Sequence, residues 1–328
     1  MNNAMNNSLN SLPLLQELDA VSTILLAGMG GGYDVFATLP LYYNLIAKGK
    51  NVHLANYTFT HRQTLQGEEE IYPGCFRVGP AGNEFQGLYF PEKYLAQWLE
   101  INDCNPTVYA LETRGVKPLF QNYSKLCKKL GIDAIVLVDG GTDGLMFGDE
   151  EHLGTPLQDY TSIAAVHQVD GVRKYMGCIG YGIDDVSHNC FWDNVRTLEH
   201  VGGSLGTVQL DLTFQEAQLY CNAVDHANLY KPGDGSIINN AIACAIQGNL
   251  GCASMQNRTR AHSLQIESIM ARYWFFKLDS LVSQTKYYPL IKDTVQENEV
   301  NVAIRLQLPR VAPMRKTIEV DWRSMVGM

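Results

Sequence analysis

No two of the eight cysteines, at 75, 104, 127, 178, 190, 221, 244 and 252, form a C-x-x-C pair. That spacing is wrong for a zinc ribbon and too sparse for a disulfide framework, so reduced and mostly buried thiols are expected. The first 47 residues hold no Lys or Arg and open on the polar stretch "MNNAMNNSLNS". The positive and apolar parts of a secretory signal are therefore missing. No apolar run approaches the roughly 18 residues that a membrane helix needs. The 25 Lys and Arg are scattered against 34 Asp and Glu, for a net charge of −9, which removes the basic surface that a phosphate backbone requires. These absences point to a soluble, cytoplasmic chain with neither nucleic acid nor membrane as partner, and they leave a homo-oligomer open.

Glycine, by contrast, is concentrated. "LLAGMGGGYDVFATLP", residues 25–40, places Gly28, Gly30, Gly31 and Gly32 within five residues, between an apolar run and an amphipathic one. Such a segment makes neither a stable helix nor a strand interior, because glycine loses the most backbone entropy on ordering. Something there needs backbone without Cβ atoms.

Around that loop the chain alternates. "VSTILLA" (21–27) reads as a strand, "VFATLPLYYNLIAK" (35–48) as a helix that tolerates Pro40 in its first turns, and "NVHLANYTF" (51–59) as a second strand. "EKYLAQWLEIN" (helix), "PTVYALE" (strand), "KPLFQNYSKLCKKLG" (helix with a Gly stop), "IDAIVLV" (a strand buried on both faces), "TPLQDYTSIAAVHQV" (helix) and "RKYMGCIGYG" (strand) follow. At least five strands with intervening helices predict an α/β fold with a doubly wound, mainly parallel, Rossmann-like sheet. The expected layout is a flexible tail over 1–18 and a single domain over 19–328, with its sheet core at about 21–186 and a more helical part at about 187–328. In that second part Thr213 and Glu216 form a capping box pattern, Ser236 caps "SIINNAIACAIQGNLG", "PGDG" (232–235) is a turn, "MARYWFFKLDSLV" fits helix or strand, and "TIEVDW" reads as an edge strand.

In such a sheet the ligand site lies beyond the carboxyl ends of the strands. Three of the five strand ends carry glycine pairs or triplets where an ordinary turn needs one, which favours close backbone approach to a ligand. The first loop is not a dinucleotide fingerprint, because Tyr33 stands where the third glycine belongs and the second strand ends in "ANYTF" without an acid for a ribose. NAD is thereby disfavoured. A Walker A loop is excluded by the lack of GK[ST], and Ser204 in "GGSLG" lacks the setting of a serine nucleophile. After the fourth strand comes "DGGTDGLMFGDEE" (139–151), with five carboxylates in thirteen residues. Like charges so close raise one another's pKa unless a cation offsets them, and Mg²⁺ suits oxygen ligands beside a phosphate. Asp139 and Asp143 are the metal candidates, and with Glu150 the catalytic ones. Gly30, Gly31, Gly32, Asp34, Gly140, Gly141 and Thr142 are the ligand-binding candidates. Arg62 and Arg114 lie near strand ends, where a guanidinium would pair an anionic group.

"GMGGGYDVFATLP" and "VDGGTDGLMFGDEEHLGTPLQD" resemble the glycine-rich opening and the later acidic motif of the family called domain of unknown function 1152, in order and spacing over roughly residues 21–190. The resemblance points to Gly30, Gly31, Gly32, Asp34, Asp139, Gly140, Gly141, Asp143 and Glu150, and implies a fold and a site more than a reaction. The expectation is a binder of a nucleotide or another phosphorylated or carboxylated small molecule, acting as a Mg²⁺-assisted hydrolase or transferase. The competing class is a noncatalytic sensor with the same pocket.

Overall fold

The apolar run before the glycines is strand β1 (Thr23–Gly28), and it alternates between two cores. Ile24 and Leu26 pack on one side of the sheet, Leu25 and Ala27 on the other, as the period of two in a strand requires. The computed structural model describes residues 12–81, 87–230, 235–253, 264–312 and 314–315. The remaining strands are β2 (Asn51–Thr58), β3 (Glu69–Tyr72), β4 (Cys75–Val78), β5 (Val108–Glu112), β6 (Ala134–Asp139), β7 (Arg173–Ile179), β8 (Ser204–Gln209), β9 (Gly251–Ala253), β10 (Leu264–Ile266) and β11 (Arg272–Lys277).

Nine of them form one sheet in the order β3-β4-β5-β2-β1-β6-β7-β11-β8. The five strands expected from the sequence are its parallel centre, β5-β2-β1-β6-β7. The chain first builds outward from β1 through β2 to β5, then returns to place β6 on the other side of β1. The order therefore reverses at β1 and β6, and the crevice beyond their carboxyl ends is where a doubly wound sheet binds ligands. β6 is buried along its whole length, as expected for a strand covered by helices on both faces.

Several expectations change in detail. The helix expected at 35–48 is two, Asp34–Ala37 and Leu39–Ala47. Pro40 has no N–H to give to the carbonyl of Phe36, and its ring crowds that carbonyl, so the chain restarts with the proline in a first turn. The tail expected over 1–18 does not reach that far: Pro13–Asp19 is a helix that buries Leu14, Leu15 and Leu18. A hairpin, β3 with β4, extends one edge antiparallel to β5. The C-terminal part supplies helices, including His188–His200, Gln215–Tyr230 and Ile237–Ile246, and also β8 and β11, which run antiparallel beyond β7. "MARYWFFKLDSLV" is strand followed by helix, β11 and then Leu278–Gln284. Ser236 caps its helix by accepting the Asn239 N–H at 3.0 Å. Thr213 and Glu216 make no capping box: Thr213 donates N–H and hydroxyl to Asp211, and Glu216 accepts from Asn44. Most of "PGDG" and all of "TIEVDW" lie outside the described residues.

Candidate functional site

Beyond the ends of β1 and β6 the chain gathers carboxylates. Asp34 follows the glycine loop, Asp139 ends β6, Asp143 begins a short 3-10 turn (Asp143–Leu145), Asp159 lies in the first turn of the helix Pro156–His167, and Asp184 lies in the loop after β7. Asp34, Asp139, Asp143 and Asp159 are all buried, while Asp184 is partly exposed. Among the described residues none of the five makes an ion pair.

Backbone amides take up part of this charge. Asp34 accepts the Gly30 N–H at 2.6 Å, Asp139 the Gly144 N–H at 3.1 Å, and Asp184 the Thr142 N–H at 2.7 Å. Asp143 accepts both the N–H and the hydroxyl of Thr155, at 2.8 and 2.9 Å. One oxygen of Asp159, Oδ1, is buried without any partner, and so is the hydroxyl of Thr142. An unpaired buried acceptor loses its water without compensation, so its persistence calls for a missing partner.

The glycines explain how the carboxylates come so close. A Cβ on Gly30 would stand 2.6 Å from both Asp159 Oδ1 and Asp34 Oδ2, and one on Gly141 would stand 2.5 Å from Asp184 Oδ2. At Gly140 the same atom would meet Asp34 Oδ1 at 2.9 Å. Gly31, at φ +96°, lies against the ring of Phe59, where a Cβ would be 2.5 Å from Cζ, and one on Gly32 would stand 2.4 Å from the Tyr89 hydroxyl. The density of glycine thus serves the protein's own acids and aromatic rings, which need the space a Cβ would fill.

Burial pushes the Asp34 carboxyl up to about 7, and the charge of Asp143 adds to the rise, against the pull of the Gly30 and Gly140 amides. Asp139, Asp159 and Asp184 are held well above the ordinary carboxylate range, first by burial and then by neighbouring carboxylates, Asp143 and Asp34 acting on all three. Asp143 is raised by burial too, with the Thr155 bonds opposing. A set of acids this close cannot ionise together in the absence of a cation. Asp34, Asp139 and Asp159 each offer an oxygen within 4.8 Å of the others. That is the span of a single cation with oxygen ligands at about 2.0–2.6 Å.

The candidates from the sequence divide accordingly. Asp34, Asp139 and Asp143 come together with Gly30, Gly140, Gly141 and Thr142, while Gly31 and Gly32 line a cleft of about 330 Å³ that opens beside Asp34 and Asp184. Asp143 is turned to Thr155, and the third member of the oxygen triplet is Asp159 instead. Glu150 is elsewhere: its carboxylate accepts from the amides of Phe147, Gly148 and Asp149, from Asn194 and from Arg315. It fastens the loop after β6 and has no oxygen left for a ligand. Arg62 and Arg114 line a second cleft, of about 840 Å³, and both are tied to Glu112, at 2.5 and 2.8 Å. His61 caps the short helix Arg62–Leu65, and His188 bonds the Tyr181 hydroxyl.

Sequence reasoning missed Asp159, Asp184 and Phe59. Asp159, near the start of a helix behind Pro156, reads as a residue that complements the helix dipole, and only the fold carries it back to β1. Asp184 stands in "GYGIDD" at an expected strand end, so the signal was there. The polar side chains at the end of β2 brace the glycine loop and the helix Pro91–Ile101. Asn56 donates to the Gly32 carbonyl and to Glu92, and Thr60 donates to the other oxygen of Glu92.

Fold and site define a doubly wound α/β protein with an acidic site at its topological switch point. The chain belongs to the family described as "Protein of unknown function (DUF1152)", whose match spans residues 89–307. That span contains the acidic loop after β6, Asp159 and Asp184, and the glycine loop lies outside it. No curated protein matches the chain. Among the described residues no helix is long and apolar enough to cross a membrane.

Proposed function

We propose that the protein binds a small anionic molecule, a nucleotide or another phosphorylated or carboxylated compound, over the loops 30–34 and 139–143. It acts on that molecule as a hydrolase or transferase assisted by Mg²⁺. The observation that carries this reading is the group of five carboxylates at the switch point without a cation among the described residues, one of them with a buried, unpartnered oxygen. Asp34, Asp139 and Asp159 hold the divalent ion, which offsets their repulsion and supplies an electrophile to an anionic ligand. Asp184 borders the 330 Å³ cleft, and its carboxyl is pushed up by burial and by the charges of Asp143 and Asp34, so it is the acid of the group placed to exchange a proton with a ligand in that cleft.

Phosphate release from a panel of phosphorylated compounds, with Mg²⁺ or with EDTA, tests this. Wild-type protein releases phosphate only with the metal, and Asp139→Asn binds without turnover. Binding with no release by the wild type replaces the enzyme with a sensor.

A further inference from the structure

The cleft beside the aspartates, at about 330 Å³, is the smaller of two that meet at one side chain. Phe59 borders that cleft and also the 840 Å³ cleft on its other side. Its ring is seated on Gly31 and Gly32, and 45% of the residue stays exposed. A large aromatic side chain held against backbone, with its remaining surface at the junction of two clefts, presents a firm apolar face to whatever spans them.

The larger cleft has a different chemistry from the smaller. Its charged lining, Arg62, Arg114, Glu112 and Glu297, sums to zero, and both guanidinium groups already hold Glu112. An anion gains little there, which reverses the expectation placed on the two arginines. What the lining does offer is neutral hydrogen-bonding groups, including Thr113, Gln158 and Gln296. A planar, polar, uncharged group fits: it stacks on Phe59 and exchanges hydrogen bonds with amide and hydroxyl side chains, as a nucleobase with its sugar does.

Resting on the reading of the aspartates given above, we infer that the ligand is a nucleoside phosphate. Its phosphate lies over the aspartates and its base stacks on Phe59 in the larger cleft. Phe59 is then the residue that selects nucleosides over other phosphorylated compounds.

The probes are Mn²⁺, inorganic pyrophosphate, ribose 5-phosphate and the diphosphates of adenosine, guanosine, cytidine and uridine, titrated calorimetrically into wild type, Phe59→Ala and Phe59→Leu. Leucine keeps an apolar cover over Gly31 and Gly32 but removes the flat face, so it separates stacking from loop support. The wild type binds at least one nucleoside diphosphate about tenfold or more tighter than pyrophosphate, the scale of one base stacked on an aromatic ring. Both variants lose that advantage and keep their affinity for Mn²⁺ and pyrophosphate. Four nucleoside diphosphates that bind no tighter than pyrophosphate or ribose 5-phosphate overturn the inference, and so does an advantage that survives in Phe59→Ala. Asp159→Asn reports on the aspartates separately: Mn²⁺ binding that it leaves intact sinks the metal reading while the Phe59 result stands by itself.

Discussion

Two groups of charges flank Phe59, and they are organised in opposite ways. On one side Arg62 and Arg114 share Glu112, and Arg62 also reaches Glu70. On the other side Asp34, Asp139, Asp143, Asp159 and Asp184 have amides and hydroxyls but no cation among the described residues. Glu150 shows the first arrangement again, buried on Arg315 and three amides. Paired charges brace a structure and have little left to give a ligand. Unpaired buried ones destabilise the fold until something binds, and their presence marks a site.

The largest test of this contrast is the pH dependence of stability without divalent ions. Asp34 titrates at about 7 when folded, against an ordinary value of 3.8, so between those values the folded state holds a proton that the unfolded state has released. Stability therefore falls as pH rises from about 4 to 7, on the order of 3–4 kcal/mol for this group alone. Carboxyls held low, such as Asp133 by the Ser22 and Thr23 amides, act only at more acid pH. Thermal melts from pH 5 to 8 in EDTA should show a declining Tm, with a shallower decline in Asp34→Asn, which leaves the other raised acids in place, and with Mn²⁺. A flat profile in the wild type would remove the idea of uncompensated acids.

On the paired side the sign reverses. Glu150→Ala leaves Arg315 with Asp149 as its one carboxylate and with the Asn194 side-chain oxygen, and strips three amides of their acceptor, so urea unfolding should show a loss of about 3 kcal/mol. A loss under about 1 kcal/mol, the value of an exposed pair, would mean that the loop after β6 is held by something else. Gly31→Ala comes next. Its φ of +96° and the contact with Phe59 predict a destabilisation of about 1–2 kcal/mol, together with weaker ligand binding as the ring is displaced. Normal binding in that variant would show that Phe59 need not stay seated. Smallest is Arg114→Lys: the side chain is 35% exposed and engaged with Glu112, so affinity for any of the probes above should change by less than about twofold. A larger loss would restore Arg114 as an anion-binding residue.

Much of the fold was legible because the parallel centre is built from local signals. Buried strands such as "IDAIVLV", helix stops such as Gly131 at φ +65° and the Ser236 cap each act within a few residues. The added strands were not legible. β3 and β4 are four residues each, too short for a period to show, and β8 joins the sheet only through β11, more than sixty residues later. At the site, the sequence exposed the acids that follow strands directly. Asp159 was hidden because its approach to Asp34 is made by the packing of its helix against β6 and by the Ser162 hydroxyl bonding the Met29 carbonyl just after β1, a tertiary fact with no local trace. Arg62 and Arg114 were correctly placed near strand ends, and Glu112 stands two residues before Arg114 in the chain, yet Arg62 meets Glu70 and Glu112 only through a hairpin and a neighbouring strand whose side-by-side position the sequence does not display.

Whether Asp34, Asp139 and Asp159 form one divalent cation site is read from a Mn²⁺ titration of wild type and Asp159→Asn. It is followed by paramagnetic resonance of the free ion at pH 7.5, with proton release measured in parallel. The expected result is one ion per chain in the wild type, release of protons as the ion enters acids whose pKa values are raised, and an affinity at least about tenfold weaker in the variant. No binding by the wild type at millimolar Mn²⁺, or equal binding by both proteins, would contradict it.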